Sequence, residues 1–322
     1  MKLDKDFEFK PLPPIPDEEE FSTRAVPASG AADATAAAAA PNPLGRLTEL
    51  AGKWSGTGFN VIWRPNSVPG QDRFLQLNLT TEKLEFETIP GEIPNRGLLQ
   101  GDINMFGLTY LQQISDTNLK AGLHIEPGIW AHVPKTTNPA EPVTLVRMAS
   151  IPHGTTIVAQ GVSTRTPAAP EIPKVSIKPF AIGSPTDTFD FDEQDLTKPS
   201  KFRTPKAGLV GVTQKMVNDP NSVLRAAIAH QTITSTAALK VSTRHKPILG
   251  GGTANTAFLQ GGPDGPNAVA STVTSTFWIE RVQGTPNFLQ LQYTQTVLLD
   301  FNGLSWPHVT VATLRKAVTP AA

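Results

Sequence analysis

Residues 123–134 of the chain read LHIEPGIWAHVP. Leu123 and Ile125 fall on one face of an extended chain and His124 and Glu126 on the other, because successive strand residues point to opposite sides. Alternation of this kind is typical of an antiparallel strand with one buried face. The stretch therefore predicts a β-strand with one titratable face, and the function depends on whether that face lines a cavity or meets water.

Pro127 and Gly128 stand in the middle of this strand. Proline has no N–H to donate and glycine tolerates positive φ, so the pair predicts a bulge that interrupts the ladder. Beyond the predicted bulge, Trp130 and His132 share a face. We take both as candidate ligand-binding residues, and the other candidates are His124, Glu126 and Tyr110.

The composition excludes several classes of protein. The chain has 322 residues, its 28 Lys and Arg balance its 28 Asp and Glu, and Cys is absent. Without Cys there are no disulfides, thiolate metal sites or Cys nucleophiles. The balanced charge predicts no nucleic-acid partner. No apolar run approaches the ~18 residues of a membrane span, and the charged N-terminus has no apolar signal region. We therefore expect a cytoplasmic protein without a membrane span.

Strand patterns recur along most of the chain, separated by Pro, Gly, Asn and Asp. Together with residues 123–133, they predict an all-β protein, a closed antiparallel barrel of about ten strands. We expect one barrel domain over residues 44–317, with a long insertion over about 164–271. A short helix near 220–231 follows cap-type residues within that insertion. The other predicted strands are 52–63, 74–86, 109–114, 143–149, 155–162, 276–282, 288–300 and 308–316.

Residues 1–43 differ from the rest of the chain. A proline-rich run is followed by an acidic run and then by an alanine-rich run. Such a composition cannot bury enough apolar surface to offset the entropy of ordering. It predicts a disordered or extended N-terminal arm, and a homo-oligomer in which the arm wraps a neighbouring subunit is the alternative.

The first and last strands resemble those of the calycin superfamily of β-barrels, which includes lipocalins and fatty-acid-binding proteins. Gly52-Lys53-Trp54 resembles the Gly-x-Trp that opens the first strand of those proteins, and Arg315 resembles the basic residue of their last strand. The resemblance implies that Trp54 plugs one end of the barrel and that Arg315 lies over its ring.

Three motifs in order also resemble nitrobindin-like haem-binding barrels: residues 50–58 (LAGKWSGTG), 124–128 (HIEPG) and 312–315 (ATLR). In that family a histidine of the last strand ligates haem iron, and His308 is the nearest candidate here. Counting back from the last motif, however, places the family's ligand position on Val309. A shift of one residue moves a strand side chain to the other face, so His308 points inward only if Pro307 makes a bulge.

Three classes of function remain open. The first is a binding protein that holds a small apolar molecule inside the barrel, with haem as one candidate ligand. The second is an enzyme that uses His124 and Glu126 for proton transfer, or that uses haem for peroxidase-like or nitric-oxide-related chemistry. The third is a structural or assembly module. We predict no metal site, since His124, Glu126 and His132 would have to converge across the predicted bulge. The sequence favours the binding protein.

Overall fold

A computed structural model describes residues 42–66, 72–98, 101–138, 140–151, 154–244, 251–255 and 268–317. The α-helices are α1 (Gln214–Asn218) and α2 (Asn221–Ile228), and single 3-10 turns span Gly45–Glu49, Asp192–Gln194 and Lys206–Leu209. The strands are β1 (Gly52–Pro65), β2 (Arg73–Thr88), β3 (Ile93–Asn95), β4 (Ile103–Asp116), β5 (Gly122–Val133), β6 (Thr144–Ile151), β7 (Thr155–Thr166), β8 (Phe180–Ala181), β9 (Ser184–Thr188), β10 (Ile233–Ser242), β11 (Gly252–Asn255), β12 (Val269–Val282), β13 (Phe288–Phe301) and β14 (Leu304–Lys316).

The long strands form a closed antiparallel barrel, which confirms the predicted fold class. Hydrogen-bonded neighbours follow the order β1-β2-β4-β5-β6-β7-β10-β12-β13-β14, and β14 pairs with β1 to close a ten-strand wall. Closure removes the unpaired edges that an open sheet would present. The short strands are not part of this order: β3 pairs with β4, β11 pairs with β7 beyond the end of β10, and β8 joins β14 to β9.

The end of the barrel at which β1 begins is closed by the 3-10 turn Gly45–Glu49. Trp54 is buried against it, and its indole Nε1 donates to the carbonyl of Leu50 at 2.7 Å. The basic residue over its ring is Lys316, whose Nζ lies 5.3 Å from the ring centroid. Arg315 is exposed and lies over Phe288 instead, so the prediction that Arg315 covers the indole is wrong. Trp54 and Lys316 are cross-strand partners, which puts Arg315 on the opposite face.

The segment between β7 and β10 covers the outside of the wall. This segment, residues 167–232, carries α1 and α2, and Leu224 of α2 is fully buried. The indole of Trp63 on β1 donates to the carbonyl of Ile177 in the same segment at 2.9 Å. Two apolar cores result, one inside the barrel and one between the wall and this segment. The outer core includes Phe59, Val61, Leu75, Leu77, Val309 and Val311.

The structure corrects two further expectations. The predicted insertion over about 164–271 contains β10, which is a wall strand between β7 and β12. Some of the inward-facing side chains of β10 are small, and Ala237 at one of these positions weakened the apolar alternation that would have predicted the strand. The predicted bulge at Pro127 is also absent: β5 pairs with β4 in regular register from His132 to His124, and the irregularity lies after Ile114 of β4. Pro127 falls just outside the ladder to β6, so its missing N–H breaks no bond there.

The predicted N-terminal arm falls almost entirely on residues 1–41, which lie outside the described residues. Within the described part of the chain, no helix is long and apolar enough to cross a membrane.

Candidate functional site

The barrel interior contains a cavity of about 490 Å³. It lies toward the end where β1 finishes, opposite the end closed by Trp54, and Arg64 and Pro65 form part of that far end. Its apolar lining includes Ile62, Ile114, Leu123, Ile151, Val297 and Leu299. Its polar lining includes Asn60, Gln112, His124, Tyr293, Gln295 and His308.

A row of polar side chains crosses four neighbouring strands at the inner end of the cavity. Asn60 on β1 pairs with Thr310 on β14, Thr310 pairs with Gln295 on β13, and Gln295 pairs with Ser275 on β12. Direct cross-strand partners point to the same face of a sheet, so all four side chains point inward. The hydroxyl of Thr310 donates to Asn60 Oδ1 at 2.8 Å. We call Asn60, Thr310, Gln295 and Ser275 the polar belt.

Arg147 of β6 joins the polar belt to Glu126 of β5. Its Nη1 donates to Ser275 Oγ at 2.9 Å and to Gln295 Oε1 at 2.6 Å, while its Nη2 donates to Glu126 Oε1. The side chains of Arg147 and Glu126 are 1% and 0% exposed, so the two charges form a buried ion pair. A buried ion pair is tolerated only when hydrogen bonds satisfy both groups, as they do here.

The buried carboxyl of Glu126 is held ionised. Burial raises the pKa of Glu126, but the charge of Arg147 and hydrogen bonds from His124 and Tyr110 outweigh it and bring the pKa to about 2. The hydroxyl of Tyr110 donates to Glu126 Oε1 and accepts from Arg147 Nε at 2.9 Å. Glu126 is therefore a fixed counter-charge near neutral pH.

Gly128 makes room for the ring of Tyr110. The two residues are cross-strand partners, and a Cβ at position 128 would lie 2.6 Å from Tyr110 Cε1. The predicted role of Gly128 was a positive φ, but its φ is not in that range. The glycine is thus required by close approach, and it lets Tyr110 reach both members of the ion pair.

His124 connects the ion pair to the cavity. Its Nε2 lies 3.2 Å from Glu126 Oε2, and its side chain is 15% exposed. His124 and Glu126 share the inward face of β5, as the alternation predicted. Of the five candidate ligand-binding residues, His124 is the one that lines the cavity in the structure, whereas Glu126 and Tyr110 support it from behind.

A second buried carboxyl, that of Glu82 on β2, lies beside this network. Tyr293 donates to its Oε2 at 2.5 Å and Thr80 donates to its Oε1 at 2.9 Å. Gln112 Nε2 donates to the Tyr293 hydroxyl at 2.8 Å. Burial raises the pKa of Glu82 to about 7, and the hydrogen bonds from Tyr293 and Thr80 oppose that rise only in part. The carboxyl of Glu82 therefore changes between its protonated and ionised forms near neutral pH.

His308 lines the cavity although the ladder around Pro307 is regular. His308 pairs with Val297 of β13, which also lines the cavity, and Val309 packs in the outer core. The expected bulge at Pro307 is absent, and the register alone turns His308 inward. Its Nε2 lies 2.8 Å from Asn60 Oδ1. An amide oxygen only accepts, so this hydrogen bond requires the tautomer of His308 that carries its proton on Nε2.

Trp130 and His132 lie away from the cavity. Trp130 is fully buried in the inner core, edge-on to Phe277 with ring centroids 5.3 Å apart. His132 is eight residues along β5 from His124, roughly 26 Å at the usual rise per strand residue. It lies at the closed end near Gly45, where burial lowers the pKa of its ring. Within the described residues no cluster of three metal-ligating side chains occurs.

Sequence reasoning missed Arg147, Glu82 and the amides of the polar belt. Arg147 and Gln295 were visible as polar residues on the apolar face of a strand, since Arg147 shares its parity with Leu145 and Ala149. Asn60 and Glu82 gave no such signal, because many of their neighbours of the same parity are glycine or polar residues. A charged residue at such a position predicts a buried partner, because burying an unpaired charge is very unfavourable. The signal names no partner, since Glu126 and Arg147 come together only through the packing of β5 against β6.

Comparisons with known proteins add little to this description. No protein-family model and no curated protein sequence matches the chain. Among solved structures, the chain is similar to the crystal structure of Rv2717c from M. tuberculosis, with 14% sequence identity and a TM-score of 0.38 over 85% of this chain and 96% of that chain. A likeness at this level supports no conclusion about function, which rests on the site itself.

Proposed function

We propose that this protein binds a small, largely apolar molecule inside its β-barrel. The observation that carries the proposal is the cavity of about 490 Å³ above a polar belt whose groups are held by hydrogen bonds. Small-molecule sites are usually pockets of about 300–1,000 Å³ with mainly apolar walls and a few placed polar groups. The cavity has both features.

The polar groups at the inner end are held in place by hydrogen bonds to protein groups before a ligand arrives. Arg147 fixes Gln295, Thr310 fixes Asn60, and Glu126 fixes His124. Preorganised partners lose little entropy when a ligand binds, so such groups contribute to affinity and orientation together. This favours binding over a purely structural barrel, whose interior would be filled by side chains.

An enzyme that uses His124 and Glu126 is the alternative. A general base works best when its pKa lies near the operating pH, and the pKa of Glu126 is about 2. The same carboxylate also accepts from Arg147, Tyr110 and His124. Glu126 is thus suited to orienting His124 and poorly suited to accepting a proton itself, which favours binding over catalysis.

Haem remains a proposal, as does the resemblance to nitrobindin-like barrels. His308 is the candidate axial residue, and it faces the cavity. Its Nε2 lies 2.8 Å from Asn60 Oδ1, and iron coordination through that nitrogen would require this hydrogen bond to be broken, because coordination needs a free lone pair. The arrangement therefore favours an organic ligand without a metal centre.

Binding of the neutral dye Nile red, followed by fluorescence, tests the proposed function. We expect saturable binding to the wild-type protein. Val297→Trp places an indole ring on the cavity wall, where it should fill the cavity and abolish binding. The matched control is Val162→Trp, which adds the same ring to an exposed position of β7. Circular dichroism and the melting temperature establish that each variant is folded, and Ala270→Leu is a milder filling variant.

Two results would contradict the proposal: absence of Nile red binding to the wild type, or equal loss of binding in the Val297 and Val162 variants. Titration with haem is read in parallel. A Soret shift that disappears in His308→Ala supports axial ligation, while one that persists in that variant excludes His308 as the ligand.

A further inference from the structure

We propose that the inner end of the cavity binds an uncharged hydrogen-bonding group of the ligand, such as an ester or an alcohol, and discriminates against a carboxylate. This inference rests on the proposed function and narrows its ligand class. It follows from which atoms of the polar belt remain accessible and from how completely the buried charges nearby are neutralised.

The Gln295 amide presents a donor to the cavity. Its Oε1 accepts from Arg147 Nη1 at 2.6 Å and from Ser275 Oγ at 2.9 Å. A guanidinium can only donate, so the amide oxygen must face Arg147 and the Nε2 must face away from it. Gln295 lines the cavity. Within the described residues its Nε2 makes no hydrogen bond, and it is not one of the fully buried atoms without a partner. This N–H₂ group is therefore accessible from the cavity.

Asn60 presents a second donor, because the structure places its amide oxygen, and not its nitrogen, beside Thr310 and His308. Its Oδ1 accepts from Thr310 Oγ1 and from His308 Nε2, both at 2.8 Å, which leaves its Nδ2 as the other polar atom of the amide. Asn60 also lines the cavity, and within the described residues its Nδ2 likewise makes no hydrogen bond and is not fully buried. Asn60 and Gln295 are separated by one strand in the belt, so the two donors flank the same part of the cavity.

Gln112 adds an acceptor at this end. Its Nε2 donates to the Tyr293 hydroxyl at 2.8 Å and lies 3.5 Å from Glu82 Oε2. The Oε1 of Gln112 therefore points away from Tyr293 and Glu82, and Gln112 lines the cavity. Two amide donors and one amide acceptor match a neutral polar group: an ester offers acceptors to the donors, and an alcohol satisfies either kind of partner.

The positive charge of Arg147 is not available to a ligand. Its Nε donates to Tyr110, its Nη1 donates twice and its Nη2 donates to Glu126, which uses most of the donors that a guanidinium has. Glu126 cancels its charge, and the side chain is 1% exposed. A ligand carboxylate at the belt would thus be buried without a counter-charge, which is strongly unfavourable.

The other charged or titratable groups around the cavity do not change this. His124 is paired with Glu126 at 3.2 Å, His308 is hydrogen-bonded to Asn60 Oδ1 at 2.8 Å, and Glu82 adds negative charge whenever it ionises. Arg64 lines the cavity too, but it is four residues from Asn60 along β1, roughly 13 Å away. A carboxylate attracted by Arg64 would lie at the far end, so the belt would still receive the apolar or neutral end of the molecule.

Three ligands of equal chain length test the proposal: methyl decanoate, decanol and decanoate, each displacing Nile red from the wild-type protein at pH 8. We expect methyl decanoate and decanol to bind at least about tenfold more tightly than decanoate, which corresponds to about 1.4 kcal/mol. If decanoate binds as tightly as the two neutral ligands, the inference is overturned while the proposed function stands. If Nile red itself does not bind, the proposed function fails first.

A near-isosteric substitution tests the donor. Gln295→Glu keeps an oxygen facing Arg147 and Ser275 but replaces the accessible N–H₂ with an oxygen. We expect it to weaken methyl decanoate, which can only accept, by about tenfold or more, and to weaken decanol less, since an alcohol can donate instead. The matched control Gln113→Glu adds the same charge on the exposed outer face of β4 and should leave both affinities nearly unchanged.

Equal affinity of Gln295→Glu and the wild type for methyl decanoate would overturn the inference. So would equal losses in the Gln295 and Gln113 variants, because they would show that added charge alone weakens binding. Melting curves accompany each titration, and Gln295→Met, which removes the donor without adding charge, replaces Gln295→Glu if that variant does not fold.

Discussion

Glu82 should make this protein less stable as the pH rises through neutrality. The carboxyl titrates near 4.5 in the unfolded chain and at about 7 in the folded one, because burial penalises its charged form. Between those values the folded state holds more protons, so the free energy of unfolding falls as pH rises. The shift corresponds to a loss of about 3 kcal/mol that is nearly complete above pH 7.

The assay is urea unfolding of the wild type and of Glu82→Gln at intervals from pH 5 to pH 8. The relevant quantity is the difference between the two proteins at each pH, since Glu280 has a similarly raised pKa and contributes its own slope to both. We expect Glu82→Gln to gain about 2–3 kcal/mol relative to the wild type across this range. Glu85→Gln, on the outer face of the same strand and paired with Lys53, is the control for a general effect of charge.

A difference between wild type and Glu82→Gln that stays constant over this pH range would refute the reasoning. It would mean that Glu82 titrates at the same pH in both states and so is not sealed beneath Tyr293 and Thr80. A slope of opposite sign would mean that the folded state favours the ionised form.

Three further predictions concern stability and can be measured by chemical or thermal unfolding. Trp54→Ala should cost about 3–5 kcal/mol, as large truncations in a core do; an unchanged melting temperature would show that the closed end does not depend on the indole. Lys316→Ala should destabilise the protein by about 1 kcal/mol, because it removes the contact with Trp54 and the hydrogen bond to the Glu49 carbonyl. Arg315→Ala should change the stability by no more than about 0.5 kcal/mol. A larger loss for Arg315→Ala than for Lys316→Ala would contradict the observed register. Arg147→Met should cost about 3–5 kcal/mol by leaving a buried carboxylate unpaired, and a neutral result would show that water reaches Glu126.

The sequence by itself determined the class of the fold. Alternation along the strand segments and the turn residues between them predict an all-β protein, and about ten such strands with one helix predict a closed barrel. It also determined that His124 and Glu126 share one face, because that relation depends only on the two-residue period of a strand. The helix near 220–231 followed in the same way from local sequence and was found at Asn221–Ile228, although its N-cap residue is Pro220 and makes no side-chain capping bond.

Only the tertiary structure decided which polar residues meet. Pro127 predicts a bulge only if a neighbouring strand needs its N–H as a hydrogen-bond donor. The pairing with β6 ends at Gly128, next to Pro127, and where that pairing ends depends on the neighbouring strand. The choice between Arg315 and Lys316 depends on the register of β14 against β1, which sequence spacing leaves open by one residue. Arg147, Glu126 and Gln295 lie far apart in the chain and become one network because a closed wall brings β5, β6 and β13 around one interior.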